Sequence, residues 1–432
     1  LIEYKKAIEP VQVLENESTH EKIKIINRYD CIMLDHLKCE WSVVGDGFTR
    51  PKKEIELPKG IKPGQTAELS IEDLDITELP GECYVEINFT LKRSTNWADV
   101  GFEVAFGQVP IKPPTSLFII KSLLPPTSDC PMIKSLSAST IEISTRTAVW
   151  TFDKVLGQLS SWRKATTSSS SSTLSGNLLA SPPILSFYRA CTDNDRPQDG
   201  NDWLNSRLQQ ASPHTLSFSL TSHPGTSSVQ VVVTSRIAPP VFEWSIDCIT
   251  TYVFRGGSVA ISVKGHPRGL RLPPTLSRIG LEFALSKDID HAQWLGRGPG
   301  ESYSDTKMAQ RFGRWSSPIE DLYTKYEWPQ ESGNRTDVRW VRFTSGESGG
   351  DEVALKASFG DRDGCSFTAH HYTTKDLDEC VHDYELRKRK REDVQVRLDW
   401  RHHGIGSGSC GPRTGDAYRL NTGDFEGEVL LE

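Results

Sequence analysis

A strict alternation of apolar and polar side chains, in runs too short for helices, restricts the fold of this chain more than any other feature. From Tyr84 to Lys92, Val85, Ile87, Phe89 and Leu91 alternate with Glu86, Asn88, Thr90 and Lys92, the period of two that sets one sheet face against a core and the other toward water. Ile23 and Ile25 alternate with Lys22 and Lys24 in the same way. Turn clusters such as Pro58-Lys59-Gly60 and Pro63-Gly64 punctuate the segment, and no long amphipathic helix interrupts it. Residues 1–110 therefore read as a small antiparallel β-sandwich, with Ser94 to Asp99 forming a loop before a final strand near Val104.

Residues 111–131 carry Pro113-Pro114, Pro125-Pro126 and Pro131, a cluster that excludes helix and disfavours central strands, and so mark a linker. Beyond it the strand signals resume at Ile141 and Ile143, Val149 to Phe152, Val229 to Val233, and Val259, Ile261 and Val263. The Ser-rich run Thr166 to Ser172 reads as a surface insertion. No repeat of roughly 20 to 50 residues is visible. The expectation is an all-β chain with a large second antiparallel sandwich over 132–432.

Composition narrows the function. A formal net charge of -7 argues against a nucleic-acid partner, because neutralising phosphates needs a clustered basic surface. No apolar run approaches about 18 residues, so no membrane span is expected, and residues 1 to 30 lack a secretory apolar segment. The nine cysteines are widely spaced without a CxxC pair, which suggests neither a metal site nor a disulfide framework and favours reduced thiols in the cytoplasm. Sequons begin at Asn16, Asn88 and Asn334, but they carry meaning only in a secreted chain. The run Arg387 to Arg391 is followed at once by Glu392 and Asp393, and then by Val394, Val396 and Leu398 at strand spacing. It reads as a solvated strand edge rather than a phosphate-binding patch. The chain starts at Leu1 without a Met, which raises the expectation of a piece cut from something longer.

Three polar constellations stand out. The first is Arg189-Ala190-Cys191-Thr192-Asp193-Asn194-Asp195-Arg196, after the apolar Ile184 to Tyr188. Asx-rich turns of this kind hold themselves by side-chain to backbone hydrogen bonds; alternatively, the carboxylates bind hydroxyls or position a facing loop. The second runs from Asp399 to Pro412 and contains His402-His403 and a glycine-rich stretch ending in Cys410. Adjacent His residues on a strand face opposite ways and rarely share a metal. The glycines precede Pro412 and not a helix, which points to close backbone approach and away from phosphate binding. The third is Trp294 to Trp340, with four Trp and three Tyr among Arg, Asp and Glu residues. It shows no lasting period and reads as a long ordered loop system with rigid aromatic surface for sugars or another domain. Glu301, Asp305, Glu320, Asp321, Glu327 and Glu331 are its candidates for a glycosidase carboxylate pair, with solvated or Arg-paired carboxylates as the alternative.

Taken together, these residues resemble the glycoside hydrolase family 2 β-galactosidases of the bacterial lac-operon type and their fungal relatives. Trp294-Leu295-Gly296-Arg297-Gly298-Pro299 with Glu301, Tyr303 and Asp305, then Asp321-Leu322-Tyr323, then Pro329, Glu331, Gly333 and Arg335, is similar to the signature of that family's C-terminal sandwich domain. Arg189 with Thr192 to Asp195 and the loop from Gly404 to Pro412 resemble two more of its landmarks. Glu3, Lys5, Pro10, Asn27, Trp41, Gly45, and Trp97-Ala98 with Gly101, Val104 and Ala105 resemble the preceding immunoglobulin-like domain.

The resemblance implies an immunoglobulin-like β-sandwich followed by a large antiparallel sandwich of the galactose-mutarotase-like, or supersandwich, type. These would be the fourth and fifth domains of an enzyme that cleaves terminal β-galactosides such as lactose with retention. In the family the catalytic Glu pair and most ligands of the active-site Mg and Na lie on a (β/α)8 barrel, which needs about 250 residues of alternating strand and helix. This chain would therefore hold no catalytic residue, metal ligand or cofactor of its own. Cys410 aligns with a sugar-contacting Trp of the bacterial enzyme, and Asp193, Asn194 and Asp195 would hold the loop at the active-site mouth, so these four are the expected substrate-binding residues. The implied partners are a β-galactoside, a barrel domain of the same or a separate chain, and further copies of the protein in a homo-oligomer. A small subunit of a two-chain enzyme and a non-catalytic carbohydrate-binding or assembly module stay open as alternatives.

Overall fold

The structure is a computed structural model that describes every residue except 20, 73, 75, 78, 80, 113–126, 166–175, 347–352 and 361–364. Most of the proline-rich linker and the serine run therefore lie outside the described residues. The chain divides into two compact units, Leu1–Ser116 with Met308–Arg314, and Leu117–Lys307 with Trp315–Glu432. The fold is all-β and antiparallel, and no helix among the described residues is long and apolar enough to cross a membrane.

In the first unit the alternating runs become strands as their period dictates. Val11–Val13, Lys22–Asn27 and Thr66–Ser70 form one sheet. Leu37–Gly45, Cys83–Leu91 and Glu103–Lys112 form the body of another, with Phe48–Thr49 and Lys53–Ile55 pairing on Leu37–Gly45. Ile23, Ile25 and Leu69 of the first sheet pack with Val43, Val85, Ile87 and Phe89 of the second in a single buried cluster. This is the small antiparallel sandwich expected from the period of two, and the two-sheet form that the immunoglobulin-like resemblance implies.

The outer face of the second sheet departs from the expected pattern of polar residues meeting water. Asn88 is buried, and the reason is the Met308–Arg314 segment. Arg311 reaches Asn88 Oδ1 at 3.2 Å, Glu103 Oε2 at 2.7 Å and Glu86 Oε2 at 3.2 Å. Gln108 exchanges two hydrogen bonds with the Phe312 backbone, at 2.7 and 3.0 Å. The sequon at Asn88 is thus inside the fold, and Asn334 is also fully buried.

The second unit is built on three sheets around one apolar core. Of a nine-stranded sheet, the strands Ser212–His223, Ser228–Ala238, Trp244–Arg255, Ser258–Gly269, Phe425–Leu431, Val353–Phe359, Trp340–Thr344 and His291–Gly298 follow one another in that order in the second unit. A four-stranded sheet spans Met132–Ser135 to Gln158–Lys164. A five-stranded sheet has the order Leu179–Ser186, Arg278–Leu285, Val394–His402, Ser366–His370, Arg335–Thr336. Leu281, Phe283, Val396, Leu398 and Phe367 of the five-stranded sheet share a cluster with Val231, Ile261, Phe343 and Val429 of the nine-stranded sheet and with Trp150 and Phe152 of the four-stranded one.

Two expectations change here. The stretch Trp294 to Trp340 is not a continuous loop system: Trp294, Trp315 and Trp340 sit in strands of the nine-stranded sheet. In His291–Gly298, Trp294, Leu295 and Gly296 are buried in succession, which removes the alternation that would have announced that strand. The run Arg387 to Arg391 leaves a short helix, Asp383–Arg387, and precedes the strand at Val394 without flanking a sheet edge. Its residues are exposed and ion-paired, Arg387 to Asp383, Arg389 to Glu379, Lys390 to Glu320 and Arg391 to Asp376.

Replacing Phe89, which has no exposure, with Ala leaves a cavity in the first core. The unfolding transition of that unit, followed in urea, is expected to lose about 3–5 kcal/mol.

Candidate functional site

The strands of the five-stranded sheet turn alternate side chains to its second face, and there the sequence places charge. On that face Arg278 and Glu282 of one strand lie beside Arg397 and Asp399 of the next, with Thr368 and His370 beyond. All but Glu282 are buried. Burying charges is costly unless each is paired and hydrogen-bonded, and the pairing here is extensive. Arg278 Nε donates to Asp399 Oδ1 at 2.8 Å. Arg397 reaches Thr374 Oγ1 at 2.9 Å, His370 Nε2 at 3.2 Å and Glu282 Oε1 at 3.5 Å. Gly280 makes room for the first pair, since a Cβ there would stand 2.2 Å from Asp399 Oδ1.

Burial sets the titration of these groups. It pushes Asp399 up to about 6 despite Arg278, and it drives His370 and His402 well below the usual imidazole range. For Glu282 burial also pushes upward, but Arg397 and Arg278 more than offset it and its pKa is lowered.

At one end of this face Arg189 organises the loops. Its guanidinium forms a bidentate pair with Asp195, Nη2 to Oδ1 at 2.8 Å and Nε to Oδ2 at 3.2 Å. It also donates to the carbonyls of His403 at 2.6 Å and Gly404 at 3.0 Å. Asp195 Oδ2 accepts the Thr192 N–H at 2.9 Å, and Thr192 Oγ1 accepts the Asp195 N–H at 3.2 Å. The Asx-rich turn is therefore self-bonded and also tied to a distant loop. Both partners of the central pair are buried, so Asp195 holds the turn from within and presents no carboxylate outward.

The neighbouring residues of the turn face outward. Asp193 is exposed and exchanges hydrogen bonds with Gln330, its N–H to Oε1 at 2.9 Å and its Oδ2 from Nε2 at 3.2 Å. Asn194 crosses to the glycine-rich loop: its Nδ2 donates to the Gly406 carbonyl at 2.9 Å, and its Oδ1 accepts from Ser409 Oγ at 2.7 Å and Ser409 N–H at 3.2 Å. Cys410, next along that loop, is exposed. A third link is ionic. Arg413 pairs with the buried Asp199, Nη2 to Oδ1 at 2.5 Å and Nε to Oδ2 at 3.2 Å. Burial pushes the Asp199 pKa up, but hydrogen bonds from His403 and Arg413 prevail and hold it below the ordinary range. His403 Nδ1 accepts the Leu420 N–H at 3.0 Å, so its Nε2 carries the proton that faces Asp199.

The six carboxylates considered for a glycosidase pair each have their own surroundings. Asp305 accepts the N–H groups of Ile405 at 3.0 Å and Gly406 at 2.7 Å, fixing the glycine-rich loop. Glu301 accepts the Gly333 N–H at 2.9 Å and the Tyr326 hydroxyl. Glu320 meets Lys390 at 2.5 Å. Glu331 is buried, and its charge acts on Arg189, Tyr303 and Asp399. Asp321 and Glu327 are exposed. Among the described residues, no group of three or more His, Cys, Asp or Glu is placed to hold a metal ion.

Sequence reasoning did not find the Arg278–Asp399, Arg413–Asp199 and Asp305–Gly406 contacts. Each joins residues about a hundred or more positions apart, and nothing local marks the partners.

The family described as β-galactosidase small chain matches residues 144–431, and that described as β-galactosidase domain 4 matches residues 23–112. A β-galactosidase of Kluyveromyces lactis is 28% identical across 100% of this chain and 38% of its own length. One of Priestia megaterium is 25% identical over 94% of this chain and 37% of its own. The chain thus spans little more than a third of the length of the curated relatives it matches. Among solved structures, a galactose mutarotase-like protein from Lactobacillus casei covers 68% of this chain and 99% of its own, with 10% identity and a TM-score of 0.37, too remote to carry an argument.

Two measurements check this geometry. Asp195→Ala leaves Arg189 charged and unpaired in the interior, so the second unit is expected to lose about 3–5 kcal/mol in chemical denaturation. Asp378 accepts the Tyr188 hydroxyl at 3.1 Å, and burial pushes its pKa up to about 6. A carboxyl whose folded pKa is raised contributes stability below its unfolded value, near 3.9, and loses it as pH rises through the folded value. Between about pH 4 and 6 the unfolding free energy is therefore expected to carry a falling component that Asp378→Asn removes.

Proposed function

Because the chain belongs to the β-galactosidase small-chain family, we propose that it is the C-terminal portion of a β-galactosidase and supplies scaffold and part of the active-site wall. In the intact enzyme, terminal β-D-galactosides such as lactose are cleaved with retention by a carboxylate pair on a barrel outside this chain. Most ligands of the Mg and Na of the intact enzyme belong to that barrel. One observation carries the structural side of the reading: the 193–199 turn and the 404–413 loop are strapped into a single surface by Asn194 and by the Arg413–Asp199 pair. A wall needs such fixed loops, since catalysis depends on holding substrate to a fraction of an ångström.

Within that wall the roles divide by exposure. Asp193 and Cys410 present their side chains outward, whereas Asn194 and the buried Asp195 hold the loops that carry them. The cytoplasm suits the buried thiols: burial pushes Cys191 and Cys248 up to about 12, which keeps them protonated and slow to oxidise.

The test is complementation. The chain alone is expected to show no turnover of o-nitrophenyl β-D-galactoside. Mixing it with the part of the yeast relative that precedes the matched region is expected to recover activity. Turnover by the isolated chain comparable to an intact enzyme would sink the proposal.

A further inference from the structure

Trp294, Trp315, Trp328 and Trp340 lie in the aromatic-rich stretch, and their exposure separates them. Trp294 is fully buried, Trp315 and Trp340 are half-buried, and Trp328 is 40% exposed. Exposing so much of an indole forfeits a large hydrophobic contribution, and this one is not on a free-standing loop. Pro329 and Gln330 behind it are buried, and the Trp328 carbonyl accepts from Gln330 Nε2 at 3.0 Å. Gln330 is the residue that exchanges two hydrogen bonds with Asp193. The Arg196 guanidinium lies 4.8 Å from the Trp328 ring centroid, a cation–π contact.

Trp328 is thus joined to the loop surface by a continuous path. Gln330 holds Asp193, the next residue Asn194 holds Ser409, and Cys410 follows. The resulting surface combines a fixed aromatic ring, a guanidinium beside it, an exposed carboxylate and a carboxamide. A pyranose ring has an apolar face of C–H groups and a rim of hydroxyls, and this combination matches both: the indole for the face, charged and amide groups for the rim.

We propose that Trp328, with Arg196 and Asp193, forms a carbohydrate-stacking platform at the rim of the wall and contacts a sugar ring of the β-galactoside. This rests on the reading of the surface as part of a galactosidase wall. Trp328 is a binding residue for sugar, and Arg196 positions it.

The experiment has two arms, so that failure of the platform and failure of the wall are told apart. In the complemented enzyme, Trp328→Ala is expected to raise KM for lactose about tenfold with kcat within about twofold, as loss of binding made equally in ground and transition states requires. Trp328→Phe is expected to restore most of it. An unchanged KM overturns the platform. A loss of recovered activity that tracks loss of association between the two chains also overturns it, and assigns the ring to protein docking. Should the wild-type chains fail to complement, the wall proposal fails and the second arm decides. Saturation-transfer NMR of methyl β-D-galactopyranoside with the 432-residue chain is expected to show signal that Trp328→Ala abolishes while its circular dichroism is unchanged. No signal with the wild-type chain, or equal signal with the variant, overturns the platform.

Discussion

The second unit depends on keeping charge inside. Arg189, Arg278 and Arg397 have no exposed surface, yet each remains a cation. A β-sheet with one apolar and one charged face would ordinarily turn the charged face to water. Here the acceptors come partly from the same strands, as Asp399 and Glu282 do, and partly from loops that bring Asp195, His403, Gly404 and Thr374 to the buried guanidinium groups. Asp195 and the carbonyls of His403 and Gly404 serve Arg189. Asp399 serves Arg278, and Thr374 and Glu282 serve Arg397. Arg335 works the same way within the aromatic-rich stretch, donating to the carbonyls of Leu322 and Gly333, each at 2.6 Å. Removing any one acceptor leaves an unmatched charge, so the loops are fixed by the same requirement that makes the face costly to bury.

Local chemistry made much of the fold legible. The alternation at Val85, Ile87, Phe89 and Leu91 placed a strand with its core face, because the period of two is a property of the backbone. The runs at Ile141, Val149, Val229 and Val259 did the same in the second unit. Legibility failed where both faces are buried. His291–Gly298 contains Trp294, Leu295 and Gly296 in succession, and a strand packed on both sides shows no alternation to read. It failed again at Asn88, where polar residues signalled water and the chain supplied Arg311 from more than two hundred positions away.

The candidate site was legible as a set of residues and not as a set of contacts. Arg189, Asp195 and the glycine-rich loop stood out as landmarks, but their division of labour depends on which way each side chain points. The turn sends Asp195 inward to Arg189 and Asp193 outward, a difference of two positions that a tight turn converts into opposite environments. Composition cannot distinguish the two carboxylates. Geometry can, because the inner one has its oxygens filled by Arg189 and the Thr192 N–H.

The glycine-rich loop shows how flexibility in the sequence becomes rigidity in the fold. Gly406 adopts a φ of 59°, a left-handed conformation in which a Cβ is strained. Gly404 and Gly408 matter for contact rather than dihedral. A Cβ at Gly404 would meet Asp305 Oδ2 at 2.6 Å, and one at Gly408 would meet the Asn194 carbonyl oxygen at 2.5 Å. Both positions are therefore pressed against the groups that anchor the loop. A side chain at either would lift the backbone off Asp305 or off the 193–199 turn, breaking the hydrogen bonds to Gly406 and Ser409 that join the two segments. Glycine here permits close approach, and close approach is what allows a run with few side chains of its own to stand as a fixed surface.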